Sequence, residues 1–122
     1  MISLTLFRNE ETITYASGDV IFRAGEAGKT MYIVTEGEVD IKVGDIVVET
    51  VTTGGMFGEM ALIDAHSRSA DAICRSACKL VVINQRRFEF LVSQTPYFAI
   101  QVMSIMAERL RHTNQMINKT VA

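Results

Sequence analysis

The fold of this chain follows from one continuous stretch, Met31-Tyr-Ile-Val-Thr-Glu-Gly-Glu-Val-Asp-Ile-Lys-Val-Gly-Asp-Ile-Val-Val-Glu-Thr-Val51. Its side chains alternate with a period of two on a β-branched background, and this pattern predicts strands. Glu36-Gly37 predicts a turn between the first two strands. The two-residue connection Gly44-Asp45 predicts a hairpin, of type II′, between the second strand and the third.

Short strands are also predicted on both sides of this stretch. They cover residues 13–15 and 20–22 before it, and residues 70–77 and 80–83 after it. Turn residues separate them, and the pattern favours no long helix between them. Many short strands at close spacing are typical of a small antiparallel barrel or roll.

The last third of the chain has a helical pattern. Residues 85–93 predict a short helix, and Thr95-Pro96 is a start signal for a second one, with Thr as N-cap and Pro at the first helical position. Residues 97 to about 118 contain neither Gly nor Pro, so this helix has a predicted length of roughly 33 Å. One face of this helix has the 3-4 spacing of a coiled-coil seam, formed by Met103, Met106, Leu110, Thr113 and Ile117. This spacing favours a homodimer through the helix over packing of the helix on the chain's own roll.

The predicted fold class is mainly β with C-terminal α. An antiparallel, jelly-roll-like β-roll over residues 1–84 is followed by the short helix and the long C-terminal helix over residues 85–118, in one domain spanning residues 1–122. A chain of 122 residues can bury one core.

Composition excludes several classes of function. The net charge is −2, so the chain has no overall basic field for nucleic acid. The first residues lack the basic region of a signal peptide, and no apolar run approaches the length of a membrane span, so we expect a cytoplasmic protein with no membrane contact. The two cysteines, Cys74 and Cys78, are expected to be free and buried.

The chemistry is concentrated in residues 55–72, Gly-Met-Phe-Gly-Glu-Met-Ala-Leu-Ile-Asp-Ala-His-Ser-Arg-Ser-Ala-Asp-Ala. Glycine at 58 lets the backbone approach a ligand closely, and successive N–H groups can bind an anion. Arg68 can bind a phosphate through two charge-assisted hydrogen bonds. An ionised Glu59 can accept a hydrogen bond from a ribose hydroxyl. This set of groups suits a sugar phosphate.

The order Gly-Glu-x-Ala-Leu followed by Arg-Ser-Ala closely resembles the phosphate-binding cassette of cyclic-nucleotide-binding domains. Residues 25–39 resemble a second signature of that family, whose glycines make turns between roll strands. The resemblance implies that Glu59 binds the ribose 2′-hydroxyl and Arg68 the cyclic phosphate. It also implies a phosphate shell completed by the backbone of three residues and one hydroxyl, which are Gly58, Met60, Ala61 and Ser69.

The long helix adds a finer likeness. Residues 106–114 resemble the dimerisation helix of the catabolite-activator branch, in which a Thr and a small polar residue reach the adenine, one from each subunit. These roles would pass to Thr113 and Asn114, and cAMP is then expected rather than cGMP, although Ser69 could also bond a guanine amino group. The ion-channel branch instead uses a helix Arg as a lid, for which Arg109 is the candidate. No helix-turn-helix follows the long helix, so no direct DNA binding is expected.

Other classes of function have less support. His66 and His112 are far apart and have no ligand partners at metal-site spacing, and no nucleophile–base arrangement is evident, so neither a metal, a cofactor nor an enzymatic activity is expected. The main alternative is a protein-interaction or dimerisation module on the same fold that binds no nucleotide, because fold alone does not establish a ligand.

Overall fold

The computed structural model describes the backbone of residues 1–121 and the side chains of residues 1–119. A short 3-10 turn, Leu4–Phe7, precedes the strands. The strands are β1 Ile13–Tyr15, β2 Val20–Phe22, β3 Thr30–Glu36, β4 Val39–Val43, β5 Ile46–Val51, β6 Met56–Phe57, β7 Asp71–Cys74 and β8 Cys78–Asn84. The helices are α1 Met60–Ile63, α2 Gln85–Gln94 and α3 Pro96–Val121. The predicted fold class, a β-roll followed by a short and a long helix, is confirmed.

The strands form two four-stranded antiparallel sheets, in the orders β1-β8-β3-β6 and β2-β7-β4-β5. The predicted β4–β5 hairpin is present, with Val43 opposite Ile46. Gly44 at its tip has a φ of 60°, as the first central position of a type II′ turn requires. The chain therefore passes back and forth between two facing sheets, and the cassette connects β6 of one sheet to β7 of the other.

Strand β3 contributes to both parts of the core, because its successive side chains point alternately into one cluster and the other. Met31 and Ile33 are fully buried in a cluster between the first sheet and the helices, together with Phe98 and Val102 of α3. Val34 points the other way, into a second buried cluster between the two sheets. Both faces of the strand are apolar because each one is covered by a different layer.

Two strands differ in their bounds from the sequence prediction, and one strand was not predicted. The strand predicted over residues 70–77 ends at Cys74, because residues 75–77 make the turn into β8. The strand predicted over residues 80–83 begins earlier, at Cys78, where it pairs with Tyr15 of β1. Strand β6 lies inside the cassette and was not predicted, since two residues are too short to show an alternation.

The helices begin where the sequence signals predict. The Asn84 side chain accepts a hydrogen bond of 2.9 Å from the Arg87 backbone N–H and so caps α2. Helix α3 begins at Pro96, and the Thr95 carbonyl accepts from the Phe98 N–H at 2.8 Å. Helix α3 continues to Val121, somewhat beyond the predicted end.

The two cysteines are free and buried, as predicted. They end β7 and begin β8, so they are neighbours across a tight turn rather than residues of one strand. The Cys78 thiol donates to the Glu38 carbonyl at 3.1 Å. Burial, with a hydrogen bond to Cys78, raises the pKa of Cys74 to about 12.

No single helix among the described residues is long and apolar enough to cross a membrane. Helices α2 and α3 pass that test only when taken together, by length and composition, and they are bent by 113° relative to each other.

Candidate functional site

A pocket of about 380 Å³ lies between the roll and α3. Its floor is the cassette, and its walls come from β2, β4, β5 and one face of α3. The lining residues are Phe22, Ile41, Glu49, Phe57, Gly58, Glu59, Met60, Ala61, His66, Ser67, Arg68, Ser69, Ala70, Met106, Arg109, Leu110 and Thr113. Every predicted ligand-binding residue except Asn114 therefore lines one cavity.

Arg68 lines this pocket and is only 9% exposed. Its guanidinium donates to the Gly58 carbonyl at 3.0 Å and to the Thr30 carbonyl at 2.9 Å. The guanidinium carbon lies 4.1 Å from the ring centroid of Phe22, a cation–π contact. Burial lowers the pKa of Arg68 from its ordinary value, and nearby charges that include Glu26 partly offset this.

The Arg68 guanidinium has no carboxylate within salt-bridge distance in the described part of the chain. A buried cation that hydrogen-bonds only to neutral oxygens has lost much of its hydration without gaining a carboxylate in direct contact, which is an unfavourable state. An anion entering the pocket beside Arg68 would supply the missing charge.

Two glycines make room for this side chain. A Cβ at position 28 would lie 2.5 Å from the Arg68 Nε, and a Cβ at position 58 would lie 2.8 Å from an Arg68 Nη. Gly58 also has a φ of 79°, which favours glycine. One glycine of each sequence signature, Gly28 and Gly58, thus packs directly against the guanidinium.

Glu59 is the second buried charge, with 5% of its surface exposed. It lies at the residue before α1, so the backbone of the cassette fixes its direction. Its carboxylate forms an ion pair with Arg109 of α3. The residue predicted to bind the ribose hydroxyl is therefore in contact with the long helix.

Arg109 connects α3 to two other parts of the pocket. Its Nε donates to one oxygen of Glu49 at 2.8 Å, and an Nη donates to the other at 3.2 Å. That same Nη also donates to the Met56 carbonyl. One guanidinium thus links two carboxylates, Glu49 of β5 and Glu59 of the cassette.

The two polar residues predicted on α3 differ in position. Thr113 lines the pocket, and its hydroxyl donates to the Arg109 carbonyl at 3.0 Å, which leaves its oxygen able to accept. Asn114 is exposed and does not line the pocket of its own chain, because successive helix residues point about 100° apart.

The residues of the predicted α3 seam also differ in whether they line the pocket. Met106, Leu110 and Thr113 line the pocket, although Leu110 is also 63% exposed, and Met103 and Ile117 are each 54% exposed. Ile100, 50% exposed, extends this outer stripe by one turn. The exposed stripe of α3 is therefore shifted from the predicted one, and Leu110 lies where it meets the pocket. The stripe consists of the apolar residues Ile100, Met103, Ala107, Leu110 and Ile117, with the polar Asn114 among them.

Sequence reasoning did not identify Glu49 or the aromatic wall of the pocket. Phe22 packs beside Tyr32 and Phe57, with ring centroids 6.1 and 5.9 Å away. A possible signal for Glu49 was its charge within the otherwise uncharged strand β5. Within the described residues, no cluster of His, Cys, Asp and Glu could hold a metal ion.

The fold is a β-roll whose pocket holds a buried arginine and lies under a C-terminal helix. Residues 12–95 match the cyclic nucleotide-binding domain model. Because the match covers more than half of the chain, the protein belongs to the cyclic nucleotide-binding domain family.

Relatives and solved structures agree with this assignment. The chain is 34% identical over 83 residues to a cAMP-dependent protein kinase regulatory subunit of Schizosaccharomyces pombe, covering 67% of this chain and 20% of that subunit. Among solved structures, the Thermus thermophilus catabolite activator protein shares the fold, with a TM-score of 0.79 at 24% identity over 95% of this chain and 62% of that one.

A second structure is similar over most of both chains. It belongs to a cyclic-GMP-dependent signalling pathway that regulates bacterial phytopathogenesis, and it has a TM-score of 0.69 at 28% identity. The match covers 95% of this chain and 91% of that one. By contrast, the chain spans only about a fifth of the length of the kinase subunit.

Proposed function

We propose that this protein is a cyclic-nucleotide sensor without catalytic activity. The observation that carries the proposal is the buried guanidinium of Arg68, which has no carboxylate partner within the described residues and faces a pocket of about 380 Å³. The cyclic phosphate would occupy the place beside Arg68. The ribose would lie over Glu59, the next charged group along the pocket.

The remaining predicted contacts fit this pose. Gly58, Met60 and Ala61 would present backbone groups to the phosphate, and the Ser69 hydroxyl would add a donor. Thr113 would face the purine. The sequence favoured cAMP, whereas the similar proteins include one named for cAMP and one from a cyclic-GMP-dependent pathway. Family membership therefore does not decide whether the base of the ligand is adenine or guanine.

The output of the sensor would be a movement of α3. In this structure Arg109 ties α3 to Glu59, and a ribose hydroxyl bound by Glu59 would compete for the same carboxylate. Ligand would then bind one arrangement of roll and helix more tightly than another and shift the population toward it.

We also propose that the chain forms a homodimer through the outer stripe of α3. Its apolar members, Ile100, Met103, Leu110 and Ile117, are each at least half exposed, and an apolar helix face of this length is expected to have a partner. Asn114 lies on the same stripe, so in a parallel dimer it would approach the pocket of the partner subunit.

The same stripe favours the second candidate function, a dimerisation module that binds no nucleotide. Calorimetric titration with cAMP and cGMP separates the two functions. We expect saturable binding of at least one nucleotide and a loss of about 3–5 kcal/mol of binding free energy in Arg68→Ala, because the buried phosphate loses its counter-charge.

The titration has two internal comparisons. Arg68→Lys should recover only part of the loss, because an ammonium cannot make the paired contact. Arg75→Ala is the matched control, since Arg75 is paired with Asp40 on the outside of the roll and should bind like the parent. If the parent binds neither nucleotide, the sensor proposal is wrong and the dimerisation module remains.

A further inference from the structure

Glu49 is a charged residue of the pocket that no part of the proposed pose uses. It belongs to β5, lines the same cavity as the cassette, and keeps 35% of its side chain exposed. Its two oxygens each accept one hydrogen bond from Arg109. An ionised carboxylate can accept about four hydrogen bonds, but Arg109 occupies the face on which two adjacent donors can bind together. A second paired donor can bind this face once Arg109 leaves it, as the proposed movement of α3 would allow.

The contacts order the polar groups along the pocket. Arg68 bonds the Gly58 carbonyl, Glu59 follows in the chain, Arg109 pairs with Glu59, and Glu49 pairs with the opposite edge of Arg109. Glu49 therefore lies next to the carboxylate proposed to bind the ribose, joined to it through Arg109. In a cyclic nucleotide the base is attached next to the 2′-hydroxyl and away from the phosphate, so the base would extend toward Glu49.

The two purines present different edges to a carboxylate. Guanine carries two adjacent donors, N1–H and the 2-amino group, which match the two oxygens of one carboxylate. Adenine carries one donor, its 6-amino group, beside the acceptor N1, whose lone pair would face a negative oxygen. Paired, charge-assisted hydrogen bonds of this kind are strong and geometrically selective.

We infer that Glu49 is the residue through which this pocket discriminates in favour of guanine. This inference rests on the proposed nucleotide-binding function and names its base selectivity. It departs from the preference for cAMP that Thr113 and Asn114 suggested, because a hydroxyl can serve either purine whereas a carboxylate cannot.

The test is a set of calorimetric titrations of the full chain with cGMP, cAMP and cyclic IMP, which lacks only the 2-amino group of guanine. In Glu49→Ala the ratio of cGMP affinity to cAMP affinity should fall by about tenfold or more, the usual value of one paired base contact. In Glu49→Gln the ratio should move further toward cAMP, because an amide can both donate to and accept from adenine.

Cyclic IMP should bind the parent less tightly than cGMP, and that difference should disappear in Glu49→Ala. The matched control is Glu36→Gln, the same chemical change at an exposed ion pair with Lys79 outside the pocket, and its ratio should equal that of the parent. A merely structural role of Glu49, through Arg109, would weaken both nucleotides equally and leave the ratio unchanged.

The outcomes separate this inference from the function on which it rests. No binding of any nucleotide overturns the proposed function. Binding with an unchanged ratio in Glu49→Ala overturns only the role of Glu49. If the ratio instead moves in Ser69→Ala and not in Glu49→Ala, the guanine amino group lies at the phosphate end and the inference is wrong.

Discussion

The Arg109 guanidinium of α3 is ion-paired with the buried Glu59 carboxylate of the cassette, although 50 residues separate them in the chain. The same guanidinium holds Glu49, so the long helix is attached to the two acidic residues of the pocket. This contact makes α3 both part of the pocket wall and a direct partner of Glu59, the carboxylate proposed to bind the ribose.

The first prediction concerns this contact. Arg109→Met should lower the free energy of unfolding by about 1–3 kcal/mol, because Glu59 would remain buried without its partner. Urea denaturation measures the change. Arg111→Met, on the same helix and exposed, should unfold like the parent, and adding Glu59→Gln to Arg109→Met should recover part of the loss. Equal stability of the two Arg variants would contradict the prediction.

The second prediction concerns the ribose. A 2′-deoxy cyclic nucleotide should bind the parent about 1–3 kcal/mol more weakly, because it lacks the hydroxyl proposed to donate to the buried Glu59 carboxylate. In Glu59→Ala the same deoxygenation should cost little more, since the contact is already lost. Calorimetry on the four combinations gives the coupling. Losses that simply add would show that Glu59 does not contact the hydroxyl.

The third prediction uses the close packing of Gly28 on Arg68. Gly28→Ala should weaken nucleotide binding by about 1–2 kcal/mol, because a methyl group 2.5 Å from the Arg68 Nε must displace the guanidinium. Gly28 does not have a positive φ, so the backbone itself tolerates alanine.

The matched control for that variant is Gly18→Ala. Gly18 has a φ of 88°, and a Cβ there would meet nothing within 4 Å. Its substitution should lower thermal stability through backbone strain and leave affinity unchanged. If Gly28→Ala binds nucleotide as tightly as the parent, Arg68 does not need its present position to bind the phosphate.

The fourth prediction concerns assembly. The parent should be a dimer at tens of micromolar in sedimentation with nucleotide saturating, and Leu110→Glu should be a monomer, because two like charges would face each other across the seam. Nucleotide should tighten the dimer by the same factor as the dimer tightens nucleotide binding. Met106→Leu, a conservative change on the pocket side, should leave the mass unchanged. A monomeric parent would refute the dimer and leave α3 as a lid over its own pocket.

The fifth prediction concerns the buried thiols. Burial raises the pKa of Cys74 to about 12 from an ordinary value of 9.0, so the folded state favours the neutral thiol. Its contribution to stability is therefore complete below pH 9.0 and is lost as the pH rises toward 12. At pH 8 a thiol-reactive reagent should modify the native protein very slowly, while the denatured chain should show both thiols. Equal rates would contradict the burial.

Much of the fold could be predicted from local patterns. The alternation of β3, the glycine turn of the β4–β5 hairpin and the Thr95-Pro96 helix start depend on residues close together in the chain, and each is present in the structure. Strand β6 and the full length of β8 could not be predicted, because their extent depends on pairing with β3 and β1, which no local pattern contains.

The sequence by itself determined the cassette, since the glycines, Glu59 and Arg68 are within one short segment and their chemistry can be recognised there. Only the tertiary structure decided what faces them. Glu49 and Arg109 are 60 residues apart, and their contact depends on how α3 crosses the roll. The same crossing turned Met106 and Thr113 toward the pocket and left Met103 and Asn114 outside, because a helix has one face for each neighbour and packing decides which face that is.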